Sequence, residues 1–370
     1  MIKIEVKKDV DKEEWNPLLG SANEATIQQT QSWAEYMKDQ LKAEPIYIMA
    51  KDEKDSVVGL LLILKMGYAC ESFTKKKIGF IAIPILKTVL PYYSWIEGPV
   101  ILDIKRSKEI FEAILDGVDK LAKKEKVYMI KGHTLPYGDL KVENLDNQFI
   151  SHILEKYDFK FKKWGTFLIN LDYGEEEIWG NIKKEARKNV KKCSSNGVHV
   201  ILGTDKVHLD IYHKLIVETR KRLKLGLPPH YPDKIMLKHL KKHDHAEFFF
   251  AQEGSKVIAA MGAIGFNKTF KEIGSGLSNY AIENKIYAGD LIKWEMIKWG
   301  VKRGYRWYDL GGVNPAPKEG SKEEGILKFK QKWGGELVTY YLFEKEYSKF
   351  KQKIVKIMKK VWINLYAEGY

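Results

Sequence analysis

The sequence predicts an α/β protein made of two similar halves, and three observations predict it. Pro45–Lys51 (PIYIMAK) and Ser56–Lys65 (SVVGLLLILK) flank a polar turn at Asp52–Asp55 and read as a β-hairpin of β-branched and aliphatic residues. Ala246–Gln252 (AEFFFAQ) and Lys256–Phe266 (KVIAAMGAIGF) repeat that hairpin in length and pattern about Glu253-Gly254. In each half a helix then feeds a short strand, Lys105–Lys124 before Val127–Lys131 and Leu291–Lys302 before Arg306–Leu310. Two copies of one unit (helix, hairpin, helix, strand) account for this pattern, so mixed sheets in two tandem domains are expected.

Length and composition fit that plan. A chain of 370 residues can hold two domains with separate cores. With 44% hydrophobic and 30% charged residues, the composition is that of a folded globular protein rather than a disordered or fibrous one. The longest apolar run, around Val57–Leu64, is far below the span of a membrane helix. The charged N-terminus, MIKIEVKKDVDKEEW, lacks the apolar block of a signal peptide, so a cytoplasmic location is expected. Cys70 and Cys193 lie far apart and fit no metal or redox spacing. A formal net charge of +14 draws polyanions such as nucleic acid, nucleotide-linked substrates or acidic lipid faces, although a Lys-rich composition alone also produces it.

In chain order, Ile2–Val6 reads as a strand, Val10–Leu19 as a helix and Ser32–Leu41 as a second helix. Trp33, Tyr36, Met37 and Leu41 share one face of the latter, with Glu35, Lys38 and Asp39 away from it. Further strands are expected at Ile78–Ile83 and Tyr92–Ile96. The boundary falls near Lys156–Gly165, giving domains 1–160 and 161–346, ahead of a strand Thr166–Asp172. The last helix, Tyr347–Tyr366, is expected to fold back on the first domain, with 347–370 completing it. Phe350, Ile354, Ile357, Met358, Val361 and Leu365 face one way on it among six lysines, a pattern suited to packing on the core or to lying on an anionic membrane.

The helix Glu175–Ser194 sets Lys183, Lys184, Arg187, Lys188, Lys191 and Lys192 against Glu185. Lys184, Arg187, Lys188 and Lys191 fall on one face and form a positive stripe, either a solvated surface or a contact for phosphates. The helix Asp205–Leu223 ends in Glu218-Thr219-Arg220-Lys221-Arg222, followed by Leu225-Gly226-Leu227-Pro228-Pro229. The planar fork of arginine suits two phosphate oxygens at once. His239, His243 and His245 with Asp244 raise the question of a metal. No HExxH pattern accompanies them and Lys241 and Lys242 would repel a cation, so none is expected.

The stretch Gly304–Glu336, GYRWYDLGGVNPAPKEGSKEEGILKFKQKWGGE, concentrates the chemistry. Arg306–Leu310 reads as a strand that Gly311-Gly312 ends in a turn, where backbone can approach a ligand closely. After a loop broken by Pro315, Pro317 and Gly320, Glu323–Lys332 reads as a helix. Its apolar side is expected to hold Ile326, Leu327, Phe329 and Trp333, with Lys328, Lys330 and Lys332 between them. Gly334-Gly335 ends it and Leu337–Phe343 returns as a strand.

Tyr308–Gly312 (YDLGG), together with Gly325, Phe329, Lys330 and Gly334-Gly335-Glu336 at this spacing, resembles the signature of the FemABX family, the peptidyltransferases that add amino acids to cell-wall peptide stems. Asn181–Lys192 with Gly197 also resembles the basic helix opening the second domain of that family. The resemblance implies two tandem GNAT-like acyltransferase domains. It implies an aminoacyl-tRNA as co-substrate with no further cofactor, and a UDP- or lipid-linked peptide precursor as acceptor. Peripheral contact with the inner membrane face is open, and a monomer is the favoured state. In the family, a lysine ending the tryptophan-bearing helix of domain 1 and an arginine in a Thr-x-x-Arg context grip the diphosphate. Lys38, near Trp33 in QSWAEYMK, matches the first, and Arg220 and Arg222 compete for the second, Arg222 standing three residues after Thr219. Tyr308, Asp309, Gly311, Gly312 and Phe329 are the further substrate-binding candidates.

Transfer of an aminoacyl ester to an amine passes through a tetrahedral oxyanion, which a fixed cation stabilises by a few kcal/mol in order of magnitude. Lys330 is the candidate for that cation. Where some family members carry an acid after the domain 1 strand, this chain has Gly132-His133, a loop histidine able to take a proton near neutral pH. Two other readings compete. An acyl-CoA-dependent transferase would need a Gly-rich pyrophosphate loop, where Asn284–Asp290 offers one glycine and an acid. A non-catalytic binder of tRNA or membrane surface would use the basic stripe alone.

Overall fold

The computed structural model describes residues 2–67, 89–136, 145–225 and 234–366. The strand expected at Ile78–Ile83, Cys70 and the Gly226 to Pro229 turn lie outside them. The chain divides into two compact units, Met1–Lys163 with Tyr340–Tyr370, and Trp164–Thr339.

The first unit opens with β1 (Lys3–Lys7), α1 (Lys12–Ser21) and α2 (Gln31–Leu41), then the hairpin β2 (Glu44–Lys51) and β3 (Val57–Gly67). β4 (Pro91–Ile96) and β5 (Val100–Ile101) follow, then α3 (Ser107–Lys124), β6 (Met129–His133) and α4 (Asn147–Lys156). β1 pairs antiparallel with β2, β2 with β3 and β3 with β4, whereas β4 and β6 run parallel. The apolar run of β3 is buried nearly end to end, which is what a central strand covered on both faces requires. The buried Gln29 side chain accepts from Leu62 N–H at 2.7 Å and donates to the Ile96 carbonyl at 2.7 Å, fixing the entry to α2 against β3 and β4. The Thr30 hydroxyl caps α2 by accepting from Trp33 N–H.

The last strand of this unit is the end of β13 (Glu336–Glu346), antiparallel to β6 through Leu342↔His133 to Glu346↔Met129. The helix α12 (Lys349–Tyr366) follows. Asp119 of α3 accepts from Lys345 Nζ at 2.7 Å and from the Tyr347 hydroxyl at 2.5 Å, tying this returning segment down. Burial alone would raise the Asp119 carboxyl, but hydrogen bonds from Lys123, Lys345 and Tyr347 outweigh it and hold it below the usual carboxylate value. On α12, Val355 and Ile354 pack on a cluster with Leu64, Tyr92 and Tyr128. Phe350 and Ile357 do not join them; they are 75% and 57% exposed, so the single apolar face expected of this helix is two faces. The side chains of Met358, Val361 and Leu365 lie outside the described residues.

The second unit repeats the order. After β7 (Lys160–Asn170) come α5 (Gly174–Asn181), α6 (Lys184–Ser195), β8 (Val198–Leu202), α7 (Lys206–Arg222) and α8 (Lys234–His239). Then follow β9 (Ala246–Glu253), β10 (Lys256–Phe266), β11 (Thr269–Leu277), α9 (Asn279–Glu283), α10 (Ala288–Lys302), β12 (Trp307–Val313) and α11 (Lys322–Gln331). β8 to β11 pair antiparallel in sequence, β11 and β12 run parallel, and β7 lies antiparallel to β12. The first unit has the same plan: three antiparallel steps, one parallel step, and a final antiparallel strand from elsewhere in the chain. The duplication read from the hairpins is therefore present in the topology. Phe270, Ile292, Met296, Tyr308, Leu310 and Trp333 belong to the core of this unit. Phe270 and Tyr308 stack with centroids 4.5 Å apart.

Two expectations change here. The basic helix is two helices, broken where Ile182 turns extended to bury its side chain and Lys183 N–H donates to the Lys332 carbonyl at 2.9 Å. The glycine pair does not end β12, which continues through it to Val313.

Candidate functional site

The site is built where β12 leaves its neighbours. β11 and β12 pair through Lys271↔Asp309 and separate beyond that point, although β11 continues to Leu277 and β12 to Val313. On the other side, Asp309 faces Leu168 and Gly312 faces Thr166, so Leu310 and Gly311 together oppose Phe167 and form a β-bulge. Gly311 has φ +81°, a conformation that costs a side chain about 1–2 kcal/mol. Asp309 holds the bulge in shape: its buried carboxylate accepts from Gly311 N–H at 2.7 Å and from the Thr166 hydroxyl, and Lys271 Nζ stands 3.6 Å away.

α11 reaches over this bulge. Its N-terminus is capped by Ser321, which accepts from Glu324 N–H at 3.2 Å. Its apolar side is split: Leu327 and Trp333 pack on the core as the sequence reading has it, but Ile326 and Phe329 are 41% and 43% exposed, while Lys330 and Lys332 turn inward. Their long stems cover apolar surface and carry the charge to polar partners beneath. Lys328 remains outside in an ion pair with Glu324. Lys330 Nζ donates to the carbonyls of Gly311 at 2.8 Å and Gly312 at 3.2 Å. An ammonium has three donors, so one is left for a ligand oxygen.

Burial, helped by the nearby Lys293 charge, holds the Lys330 ammonium below the usual lysine value against the opposing pull of Glu272 and Asp309. Lys293 itself is only 1% exposed and ion-pairs with Glu272, which also accepts from the Tyr308 hydroxyl at 2.9 Å. Burial and Glu272 push the Tyr308 phenol well above its ordinary value, so it stays a neutral donor. Lys332 Nζ lies 4.3 Å from the Phe329 ring centroid and pairs with both oxygens of the buried Asp290 at 2.9 Å. Asp290 also accepts from Asn189 Nδ2 of α6 at 2.8 Å. One carboxylate thus links α10, α11 and α6. Gly334, at φ +76°, lets the chain turn against Asn181, whose carbonyl oxygen would lie 2.8 Å from any Cβ there.

Of the residues singled out in the sequence, Lys330, Gly311, Gly312, Asp309, Tyr308 and Phe329 come together here. Arg222 lies at the end of α7, donating to the Leu277 carbonyl at 3.1 Å and to Asn279 Oδ1 at 2.7 Å. It is thus at the C-terminal end of β11, the same end of the parallel pair as Gly311. Arg222 also donates to the Thr219 hydroxyl at 3.3 Å, so the Thr-x-x-Arg spacing has a physical basis at Arg222, while Arg220 is half-buried on the same helix. On α6, Lys184, Lys188 and Lys191 are exposed, while Arg187 donates weakly to the carbonyls of Trp179 and Gly180 at the end of α5.

Lys38 and Trp33 belong to the first unit. Lys38 is exposed, and Trp33 lines a cavity there of about 340 Å³ together with Met37, Leu62, Trp95, Lys131 and His133. His133 is in β6 opposite Leu342, a strand residue beside Tyr340 rather than the loop histidine expected. Among the described residues no cluster of His, Cys, Asp or Glu could hold a metal ion. Asp244 pairs with Arg303, and burial together with the His243 charge lowers His245. No described helix is long and apolar enough to cross a membrane.

Sequence reasoning missed Lys293, Glu272, Lys271, Asp290, Lys332 as an inward group, and Thr166. Lys293 carried a signal, because it stands three and four residues before the buried Met296 and Ile297 on an otherwise apolar helix face.

Residues 234–360 match the model of the FemAB family. Among solved structures, the chain is similar to a crystal structure of FemX at 16% identity, covering 91% of this chain and 96% of that one with a TM-score of 0.69. It is similar to the structure of L-PGS from Bacillus licheniformis at 10% identity, covering 96% and 98% with a TM-score of 0.56. A tandem GNAT protein from the clavulanic acid biosynthesis pathway is similar at 11% identity, covering 94% and 98% with a TM-score of 0.53. No curated protein matches the chain. The fold is the tandem GNAT-like one, and residues 234–360 are the part of the chain that matches the FemAB family model.

Proposed function

We propose that the protein is a cytoplasmic aminoacyltransferase that moves an amino acid from aminoacyl-tRNA to an amine on the peptide stem of a UDP- or lipid-linked cell-wall precursor. The observation that carries this is the Lys330 ammonium, held 2.8 Å from the Gly311 carbonyl where β11 and β12 part, with a donor to spare. The acceptor amine attacks the ester carbonyl, a C–N bond forms and the carbonyl oxygen becomes an oxyanion. Lys330 stabilises that charge. The C–O bond then breaks, the tRNA hydroxyl leaves, and the proton shed by the amine passes to that oxygen or to solvent. The exposed lysines of α6 suit the tRNA phosphates, and the planar fork of Arg222 suits a phosphate of the precursor. A lipid-linked acceptor would bring the outward face of α12 to the membrane.

An acyl-CoA donor is the competing reading. α10 begins at Ala288 with Asp290 in its first turn, which puts a carboxylate near the helix N-terminus that would otherwise receive a pyrophosphate. The deciding experiment offers labelled aminoacyl-tRNA pools and labelled acetyl-CoA in parallel, with UDP- and lipid-linked peptide precursors. Label reaching the precursor from tRNA supports the proposal, and label arriving only from CoA ends it.

A further inference from the structure

A cation that meets the carbonyl oxygen of an aminoacyl ester also comes close to a second positive charge, the α-ammonium carried two bonds from the carbonyl carbon. Like charges at that range repel, and a carboxylate beside them removes the penalty. The opening between β11 and β12 has one in place. The last pair of the two strands is Lys271↔Asp309, so Glu272 and Leu310 are the first residues on either side of the opening. They stand one residue short of Gly311, whose carbonyl holds Lys330 Nζ at 2.8 Å. Neighbouring strands lie about 4.8 Å apart and a residue advances about 3.3 Å, so the Glu272 side chain is rooted within its own reach of that ammonium. Its carboxylate ion-pairs with Lys293, and Lys293 Nζ is 5.8 Å from the ring centroid of Phe329, the residue before Lys330. The upward pull of Glu272 on the Lys330 ammonium agrees with this closeness.

The carboxylates around the opening differ in how far their oxygens are taken up. Asp309, with its side chain 10% exposed, accepts from Gly311 N–H and the Thr166 hydroxyl and has Lys271 Nζ at 3.6 Å. Asp290, 6% exposed, has both oxygens on Lys332 and one on Asn189. The Glu272 side chain is 19% exposed and accepts from Lys293 and the Tyr308 hydroxyl, two donors against the roughly four that a carboxylate can receive. It is the open one of the three.

We propose, on the reading of Lys330 given above, that Glu272 is the residue that selects the donor: its carboxylate accepts from the free α-ammonium of the aminoacyl group while Lys330 meets the ester carbonyl. Tyr308 and Lys293 hold the carboxylate in place from below. The site then favours an acyl group with a free α-amine over one whose amine is blocked or missing, because either of those leaves the carboxylate without its ligand donor.

The test is calorimetric titration of the full-length protein with three stable donor mimics, 3′-amino-3′-deoxyadenosine carrying an alanyl, an N-acetylalanyl or a propionyl group in amide linkage. The alanyl mimic should bind about tenfold more tightly than the propionyl one, the difference being the charge-assisted contact, and the N-acetylalanyl mimic no better than the propionyl. Glu272→Gln combined with Lys293→Met removes the carboxylate without leaving a buried ammonium unpaired. It should bring the alanyl mimic down to the propionyl affinity and keep the latter within about twofold. Lys293→Met alone frees Glu272 from a competing cation and should tighten the alanyl mimic by about threefold without moving the propionyl one, a gain that a merely structural role would not give. Thermal melting of each variant confirms that it is folded, and the comparison of mimics on the unmodified protein needs no variant. Equal affinity for the alanyl and propionyl mimics, a preference that survives in the double variant, or no saturable heat from any mimic overturns the proposal. The titration includes neither acceptor nor transfer. A protein that prefers the alanyl mimic but transfers nothing would sink the proposed activity and leave Glu272 standing, whereas transfer from tRNA with equal affinities would sink Glu272 alone.

Discussion

The Lys330 ammonium donates to the Gly311 carbonyl at 2.8 Å, and Gly311 holds φ +81° with its missing Cβ position 3.3 Å from that same nitrogen. Helix and bulge are therefore fitted to each other: the glycine allows the backbone angle and also leaves the space the ammonium occupies. Gly311→Ala should cost about 1–2 kcal/mol in strain and displace Lys330. We expect a lower melting temperature and at least a roughly tenfold slower transfer. A variant with the unmodified rate would remove the bulge from the chemistry.

Lys330→Ala should slow transfer by about 10²–10³-fold, the range for removing one donor to a developing oxyanion. Because burial depresses the Lys330 ammonium, transfer should decline on the alkaline side at a pH below the ordinary lysine value of 10.5. Lys330→Arg keeps its charge and should lose that decline. The same depression predicts that the folded protein gains stability as pH rises from the depressed value towards 10.5, because the unfolded chain still binds the proton there. The rate profile and urea midpoints across that range check both.

Asp290 should matter through Lys332 and Asn189. Asp290→Ala leaves a mostly buried ammonium unpaired and should cost about 3–5 kcal/mol, read from urea denaturation. Adding Lys332→Met should recover most of the loss. If the double variant is as unstable as the single one, the pair is not what links α10 to α11.

Reversing Lys184, Lys188 and Lys191 to Glu should weaken tRNA binding and reduce the steepness of its salt dependence, by about two to three in the slope of log K on log salt. These side chains are exposed, so stability should barely change. An unchanged slope in filter binding assigns the tRNA to another surface.

Phe350 and Ile357 share the outward face of α12 with the exposed Lys349, Lys353 and Lys356. That face should bind vesicles containing anionic lipid and not neutral ones. Phe350→Ser with Ile357→Ser should release the protein in a vesicle sedimentation assay, and binding that persists would place the contact elsewhere.

The hairpins and the long helices were legible because each carries either a continuous apolar run or a helical period over eight or more residues. The nearness of Lys330 to the Gly311-Gly312 pair was legible too, and its ammonium reaches the Gly311 carbonyl. The bulge was not, because Gly-Gly after a strand serves equally as a turn or as an irregularity within the strand. The facing of Ile326, Phe329, Lys330 and Lys332 was misread since apolar and lysine positions alternate there, and long lysine stems reach inward when carbonyls and carboxylates wait below. Glu272 and Lys293 escaped notice because a buried ion pair joining a strand to a helix 21 residues later follows no local pattern.

β13 starts in the second compact unit and finishes in the first, delivering Phe343 to the wall of the first unit's cavity. Every other lining residue has been synthesised by His133. On the ribosome, then, the wall of this cavity stays incomplete until nearly the whole polypeptide has emerged, and a fragment cut at Lys163 would need residues 340–370 supplied as a separate peptide to acquire it.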